Sequence, residues 1–127
     1  DGSIHAANFY IDADGATGVV GLVNGLFSVA IDIGDWDMDA SPFVVVTHGL
    51  GDYTKIRNVQ ATVRNDVGDE IFPLNCVNNT TGVLQGGVAF YTNTYVNLAR
   101  LTGGDFDNIT YNSTTYNRGW VIVQYTV

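Results

Sequence analysis

Cysteine and positive charge are both scarce in this sequence. Cys76 is the only cysteine, so no intrachain disulfide and no cysteine-based zinc site can form, and we expect the thiol to pack as a small apolar group. Five residues are Lys or Arg against thirteen Asp or Glu, which gives a net charge of -8. A surface this acidic repels phosphate backbones and anionic membranes. Nucleic acid is therefore a poor candidate partner, whereas neutral glycans and cations remain open.

Long apolar runs and the common catalytic motifs are missing too. No run approaches the ~20 apolar residues of a membrane span, and no basic-then-apolar signal segment occurs, so we predict no membrane insertion. The sequence contains no G-x-S-x-G elbow and no glycine-rich nucleotide loop. His48 ends an apolar segment before Gly49, which favours a hydrogen-bonded turn residue over a base or a metal ligand. We therefore predict a protein that is not an enzyme and holds no cofactor.

Short apolar segments bounded by turn residues dominate what is present. Apolar residues make up 46% of the 127 residues, and no helical stripe repeats over three turns. Alternating segments between Gly, Asn and Asp are typical of an all-β domain. The predicted strands are Ile4–Ile11, Gly18–Val23, Leu26–Ile33, Phe43–His48, Ile56–Arg64, Glu70–Leu74, Val83–Tyr91, Tyr95–Leu101 and Gly119–Val127.

The beginning of the chain differs from the remainder. Residues 1–25 have short apolar pieces between frequent glycines and lack the aromatic density of a core, so we interpret them as a neck or the end of a fibre shaft. Residues 26–127 are predicted to form the globular head, a small antiparallel β-sandwich. Since Met38 is the only methionine and Asp1 comes first, we expect a processed chain or the end of something longer.

Two predicted strands are apolar on both faces. A strand of a monomeric sandwich alternates apolar and polar residues, as Ile56–Arg64 does. In Phe43–His48 the residues Phe43 to Val46 are all apolar, and in the last strand Trp120 and Ile122 oppose a valine face. Either a loop or the neck covers the second face, or it is an oligomer interface, the interpretation that we favour.

Several side chains suit carbohydrate binding. Aromatic rings stack on sugar faces, and carboxylates and amides bond to hydroxyls. The segment 103–120, "GGDFDNITYNSTTYNRGW", is rich in these types, although Asn and Thr also suit a long β connection. The predicted glycan contacts are Trp36, Asp105, Asp107, Asn108, Tyr111, Asn112 and Tyr116.

The acidic segment "DIGDWDMD", residues 32–39, has two further interpretations. Oxygen-rich loops bind calcium, but this spacing lacks the glycine and the distal glutamate of an EF-hand. We therefore prefer a solvated turn with Trp36 packed beneath it and predict no metal from Asp32 to Asp39. A pair of these carboxylates could also serve glycoside hydrolysis at the right separation.

The few cations cluster around residues 46–66. Lys55, Arg57 and Arg64 lie in a chain with many more carboxylates. Arg57 shares the alternation of Val59 and Val63, which predicts a position at the edge of a buried face. A guanidinium there needs a carboxylate partner. We predict that the three cations form ion pairs within the chain or with a neighbouring copy.

Four segments together resemble a known family. "IHAANFYIDADGATG" resembles the end of a fibre shaft. "IDIGDWDMDA", "HGLGDYTKIRNVQATVRND" and "YNRGWVIVQYT" resemble the C-terminal tip domains of phage-type tail fibres, and more loosely H-type lectin domains. The resemblance implies an extracellular homotrimer of β-sandwiches on a virion or a contractile injection particle. It also implies binding of a cell-surface carbohydrate or another receptor, and no sugar-binding residue of the family carries over by position.

Three functions follow as hypotheses. The first is an adhesive fibre tip that attaches to a host receptor without catalysis. The second is a structural virion or filament component whose apolar faces serve assembly only. The third is a glycan-cleaving enzyme that uses an Asp pair.

Overall fold

The alternating segments of the sequence form eight β-strands. The computed structural model describes residues 22–23 and 25–127. The strands are Leu22–Val23 (β1), Leu26–Asp32 (β2), Phe43–Thr47 (β3), Ile56–Arg64 (β4), Ile71–Pro73 (β5), Gly86–Tyr91 (β6), Tyr95–Arg100 (β7) and Gly119–Tyr125 (β8). Single 3-10 turns lie at Tyr53–Lys55 and Ile109–Tyr111.

The strands pair into two antiparallel sheets. One sheet has the order β1-β2-β8-β4-β5, and the other has the order β3-β7-β6. Every strand pair is antiparallel. The prediction of an all-β fold of antiparallel sheets is therefore confirmed. Among the described residues, no helix has the length and apolar character needed to cross a membrane.

The core lies between the inner faces of the two sheets. The five-stranded sheet contributes Val63, Val121 and Val123, and the three-stranded sheet contributes Val96 and Leu98, all fully buried. Side chains from the connections complete the core, namely Trp36, Met38, Leu74, Phe106 and Tyr111. Apolar alternation in the strands thus sets the layers, and the connections close their ends.

Strand positions agree with the alternation in the sequence. Seven predicted strands overlap β2 to β8. β6 begins at Gly86, later than predicted, and Leu84 before it forms an isolated bridge with Val77 instead. The predicted strand Ile4–Ile11 and most of Gly18–Val23 lie outside the described residues. Leu22–Val23, which lies inside the predicted neck, pairs with β2. The division of the chain into a neck (1–25) and a head (26–127) stays a prediction.

The prediction for Arg57 is wrong on its burial. The register between β4 and β8 shifts between Ile56 and Asn58, as in a β-bulge. The extra residue puts Ile56 in the core and leaves Arg57 exposed. Its guanidinium donates to the backbone oxygens of Thr54 and Ile56 instead of lying at a buried edge.

The two doubly apolar strands differ in how their second faces are covered. On β8, the Arg64 guanidinium at the end of β4 lies 5.1 Å from the Trp120 ring centroid and 4.3 Å from the Tyr116 ring centroid, so the Arg64 side chain covers Trp120. On β3, Phe43 and Val45 remain 58% and 52% exposed. A side chain of the neighbouring strand thus covers Trp120, whereas the outer face of β3 is exposed.

Candidate functional site

The long connection from β7 to β8 is organised around Arg118, whose side chain is fully buried. Its Nε donates to the Trp36 carbonyl oxygen at 2.9 Å, and its Nη1 donates to the Arg64 carbonyl oxygen at 2.8 Å. Its Nη2 forms an ion pair with Asp66 Oδ1 at 2.8 Å. One guanidinium thereby joins the acidic segment, the end of β4 and the start of β8, as its fork of five donors allows.

Asp66 in turn orders the connection. Its carboxylate accepts from the backbone amides of Asn112 and Ser113, each at about 3.1 Å, besides the guanidinium of Arg118. Partial burial opposes ionisation of Asp66, but these hydrogen bonds and the Arg118 charge outweigh it and lower the pKa of the carboxyl. The segment after Tyr111 is therefore held by a fixed anion.

Arg100 is a second buried arginine that bonds to distant groups, at the β7 end of the connection. The alternation of Val96 and Leu98 continues into Arg100, which is 7% exposed. Its Nε donates to the Met38 carbonyl oxygen at 2.6 Å, and its Nη2 lies 3.5 Å from Asp107 Oδ1. Among the described residues, the ion pairs of this protein belong to Arg100 and Arg118.

A cleft of about 350 Å³ opens between this connection and the loop after β5. Its volume falls within the roughly 300–1,000 Å³ of small-ligand pockets. Aromatic side chains form one side, and amide and carboxylate groups stand at its rim. The lining residues are Phe72, Cys76, Val77, Asn78, Asn79, Asp105, Phe106 and Tyr111.

The polar rim of the cleft is preorganised. Asn78 Nδ2 donates to both oxygens of Asp105, at 3.0 and 3.1 Å, and Asn78 Oδ1 accepts from the backbone amides of Thr80 and Thr81. The Asp105 amide donates to the buried Gln85 side chain at 2.6 Å. Asn78 thus holds the carboxylate of the exposed Asp105, and Gln85 holds its backbone, before any ligand arrives.

The aromatic side of the cleft is rigid. The rings of Phe106 and Tyr111 meet edge to face with centroids 5.3 Å apart, and Phe72 meets Phe106 at 6.2 Å. Burial, with a smaller contribution from Glu70, raises the pKa of Tyr111 to about 12, so the phenol stays neutral. Burial and the Asp105 charge also raise the pKa of Cys76, which keeps the thiol protonated and unreactive.

The cleft brings together two of the predicted glycan contacts, Asp105 and Tyr111. Tyr111 is only 5% exposed, so its ring serves as wall and offers no free face. Sequence reasoning missed Phe72, Asn78 and Asn79. Asn78 and Asn79 are residue types typical of turns, and no local pattern in the sequence indicates that this turn meets Asp105.

Trp36 does not suit the predicted contact with a sugar. Its ring is 2% exposed and its Nε1 donates to the Ser41 carbonyl oxygen at 3.0 Å. No ring face remains for a ligand from solvent. The other interpretation, an acidic turn with Trp36 packed beneath it, describes the observed arrangement.

The remaining predicted contacts have local structural bonds. Asp107 accepts from the Gly103 amide and pairs with Arg100, and Asn108 caps the 3-10 turn through its bond from the Thr110 amide. Asn112 is exposed and bound to Asp66 through its backbone. Tyr116 donates its hydroxyl to the Asn65 carbonyl oxygen and is half-buried. Their role in glycan binding stays a prediction.

The three cations predicted to form ion pairs have no carboxylate within pairing distance among the described residues. Lys55 and Arg57 are exposed, and Arg64 donates its Nε to the Asn117 carbonyl oxygen at 2.9 Å while its guanidinium faces two rings. Pairing with carboxylates of a neighbouring copy stays a prediction. Arg100 and Arg118, which sequence reasoning missed, form the ion pairs within the described part of the chain.

The acidic carboxylates of residues 32–39 act on the backbone. Asp35 accepts from the Tyr116 amide, and Asp37 accepts from the amides of Asp39 and Ala40. In the part of the chain that the structure describes, no group of three His, Cys, Asp or Glu side chains is arranged around a metal position.

His48 is a hydrogen-bonded turn residue, as predicted. Its ring is 7% exposed, Nδ1 accepts from the Leu50 amide at 3.0 Å, and Nε2 lies 2.7 Å from the Thr92 carbonyl oxygen. The tautomer with its proton on Nε2 satisfies both contacts, because Nδ1 then accepts from the amide and Nε2 donates to the carbonyl oxygen. Both ring nitrogens therefore have hydrogen-bond partners within the protein.

Comparisons with known proteins leave the resemblance to fibre tips as a prediction. Family models, curated proteins and solved structures were compared with this chain, and none of the three comparisons gave a match.

Proposed function

We propose that this chain is the receptor-binding tip of a tail-fibre-like adhesin, extracellular and homotrimeric, which recognises a cell-surface glycan without catalysis. The cleft between the β7–β8 connection and the loop after β5 is the proposed glycan site. Its combination of an aromatic side with a fixed carboxylate and amide rim supports the proposal more than any other observation.

The proposed recognition uses three kinds of contact. The half-buried ring of Phe72 offers an apolar surface to the face of a sugar ring. Asp105 and Asn79 accept hydrogen bonds from sugar hydroxyls at the rim. Because Asn78 already bonds to both oxygens of Asp105, little side-chain freedom is lost when a glycan binds, which favours affinity.

The composition of the cleft favours binding over glycan cleavage. Glycoside hydrolysis generally needs two carboxyl groups that flank the scissile bond. Asp105 is the sole carboxylate among the described residues that line the cleft. An enzyme acting here would lack its second group.

A glycan array followed by calorimetric titration tests the proposal. We expect specific binding to a neutral glycan, and Asp105→Asn should weaken it about tenfold to a hundredfold, as for loss of a charge-assisted hydrogen bond. Asp32→Asn is the matched control, since Asp32 is also exposed but lies on β2. Equal losses in both variants, or no glycan bound by the intact protein, would overturn the proposal.

A second candidate function is a structural virion or filament component. The open apolar face of β3 supports it, because such faces serve assembly. This alternative predicts an oligomer that binds no glycan. The enzyme hypothesis is tested separately: degradation of a capsule by the intact protein, lost in Asp35→Asn, would contradict the binding-only proposal.

A further inference from the structure

The outer face of the three-stranded sheet is largely apolar. The register places Phe43 and Ala99 opposite each other, with Val45 and Phe90 on either side of Asn97. Tyr95, whose ring lies 6.2 Å from that of Phe90, pairs with the exposed Thr47. Phe43, Val45 and Phe90 are each at least half exposed. We call these seven residues the β3–β7–β6 outer face.

The opposite surface of the protein shows that such a face is not required by the fold. The outer face of the five-stranded sheet carries Asp32 on β2, Gln124 on β8 and Asn58, Gln60 and Thr62 on β4, together with Ile122 and Trp120 of β8. It is mostly polar, as is usual for a solvated sheet face, and the Arg64 guanidinium lies against the Trp120 ring. The β3–β7–β6 outer face has no charged residue, in a chain with thirteen carboxylates.

Asn97 lies in the middle of this face on the central strand. Its Oδ1 is the only buried side-chain nitrogen or oxygen without a hydrogen-bond partner among the described residues. An unpaired buried carbonyl is destabilising, and native structures nearly always satisfy it. Rotation of the amide would turn this oxygen toward the surface, where a partner can donate to it.

We propose that a second copy of this chain covers the β3–β7–β6 outer face, with the Asn97 amides of the two copies bonded to each other. An amide carries both a donor and an acceptor, so the same side chain from another copy supplies what each lacks. Because each amide donates on one side and accepts on the other, such bonds can close around a cyclic oligomer such as the proposed homotrimer as well as between two copies. A single amide within an apolar seam also fixes register, as it does in coiled coils.

The size of the face predicts a concentration-dependent contact. Three strands of about six residues, spaced about 4.8 Å apart with a rise of about 3.3 Å, cover roughly 290 Å². That is near the size of a functional surface patch but below the roughly 800 Å² that each partner buries in a standard interface. The face alone is thus sized for a weak contact that forms at high concentration, and Leu84 and Leu101 beside β6 and β7 are exposed as well.

Analytical ultracentrifugation of the full chain, from micromolar to near-millimolar concentration, tests this inference. We expect an oligomer for the natural sequence and, for Val45→Asp, self-association weakened roughly a hundredfold or more, because a carboxylate would be buried without a partner. Ile71→Asp is the matched control, since Ile71 is 58% exposed on a strand of the other sheet. A monomeric natural protein, or equal effects of the two variants, would overturn the inference.

Two further variants test the amide itself and guard against misfolding. Asn97→Asp should dissociate the oligomer at neutral pH because like charges would meet. Gln60→Glu also replaces an amide by a carboxylate, but on the outer face of the other sheet, and should leave the mass unchanged. Phe43→Ser removes apolar surface without adding charge and should weaken association in a chain whose circular dichroism is native. An Asn97→Asp protein with the natural mass would contradict the reciprocal amide bond.

This inference goes beyond glycan recognition and fails separately from it. The cleft and the β3–β7–β6 outer face share no residue. Val45→Asp should therefore bind glycan with unchanged affinity per chain, and Asp105→Asn should keep the natural oligomer. Loss of glycan binding in an intact oligomer would count only against the proposed receptor site.

Discussion

Replacing Arg118 by methionine should destabilise the protein severely. The side chain is fully buried, and its removal leaves the Trp36 and Arg64 carbonyl oxygens and the Asp66 carboxylate without their donors. Methionine fills much of the same volume but donates nothing. Removal of one partner from a buried ion pair typically lowers the free energy of unfolding by about 3–5 kcal/mol, a large part of a domain's total of about 5–15 kcal/mol.

The change is large enough to read from thermal denaturation. With an unfolding entropy of about 2.1 cal/mol/K per residue, 127 residues give about 0.27 kcal/mol/K. A loss of about 3–5 kcal/mol then corresponds to a fall in Tm of about 11–19 °C. Circular dichroism melts at one protein concentration, checked by urea denaturation, measure it.

Arg57→Met provides the matched control for this experiment. Arg57 is exposed, and its guanidinium has only backbone oxygens near it. The same substitution should therefore change the free energy of unfolding by about 0.5 kcal/mol or less. If Arg118→Met lost less than about 1 kcal/mol, or no more than Arg57→Met, the assignment of Arg118 as the staple of the β7–β8 connection would be refuted.

Two pH effects follow from single groups. The folded-state pKa of Asp66 is lowered, so the ionised carboxylate stabilises the protein above its ordinary pKa. This stabilisation is lost as the pH falls through the folded-state pKa. The Asp66→Asn variant should therefore be less stable at neutral pH, and its stability should depend less on acidic pH. The pKa of Tyr111 is raised to about 12, so its contribution holds below the ordinary tyrosine value near 10 and is lost as the pH rises toward 12. Tyr111→Phe should remove the last step of tyrosinate absorbance, and a natural protein whose tyrosines all ionise before unfolding would contradict this.

Local pattern accounts for the strands because their alternation is a property of neighbours in the chain. Val59, Ala61 and Val63 face the core, and Asn58 and Gln60 face solvent, as their order predicts. The bulge that exposes Arg57 left no such signal, since it depends on how β4 meets β8. A period of two cannot show where the period is interrupted.

The candidate site depends on contacts between distant parts of the chain. Asn78 and Asp105 are 27 residues apart, and Asp66 and Arg118 are 52 residues apart. No local periodicity joins such pairs. Composition correctly marked the β7–β8 connection as rich in hydrogen-bonding groups, but burial decides which of them face a ligand, and it removes Trp36 and most of Tyr111 from that role.

The positions of the arginines also affect the charge of the surface that a receptor would meet. Arg100 and Arg118 are buried and each is paired with one carboxylate, which leaves three cations and eleven carboxylates of the whole chain to carry the net charge of -8. The accessible surface is thus more one-sided than the composition suggests. Close to such a surface, a glycan with sulfate, phosphate or carboxylate groups meets repulsion that is screened only beyond about 10 Å at ordinary salt. Uncharged hexoses meet no such repulsion, and their hydroxyl groups can donate hydrogen bonds to the Asp105 carboxylate in the cleft.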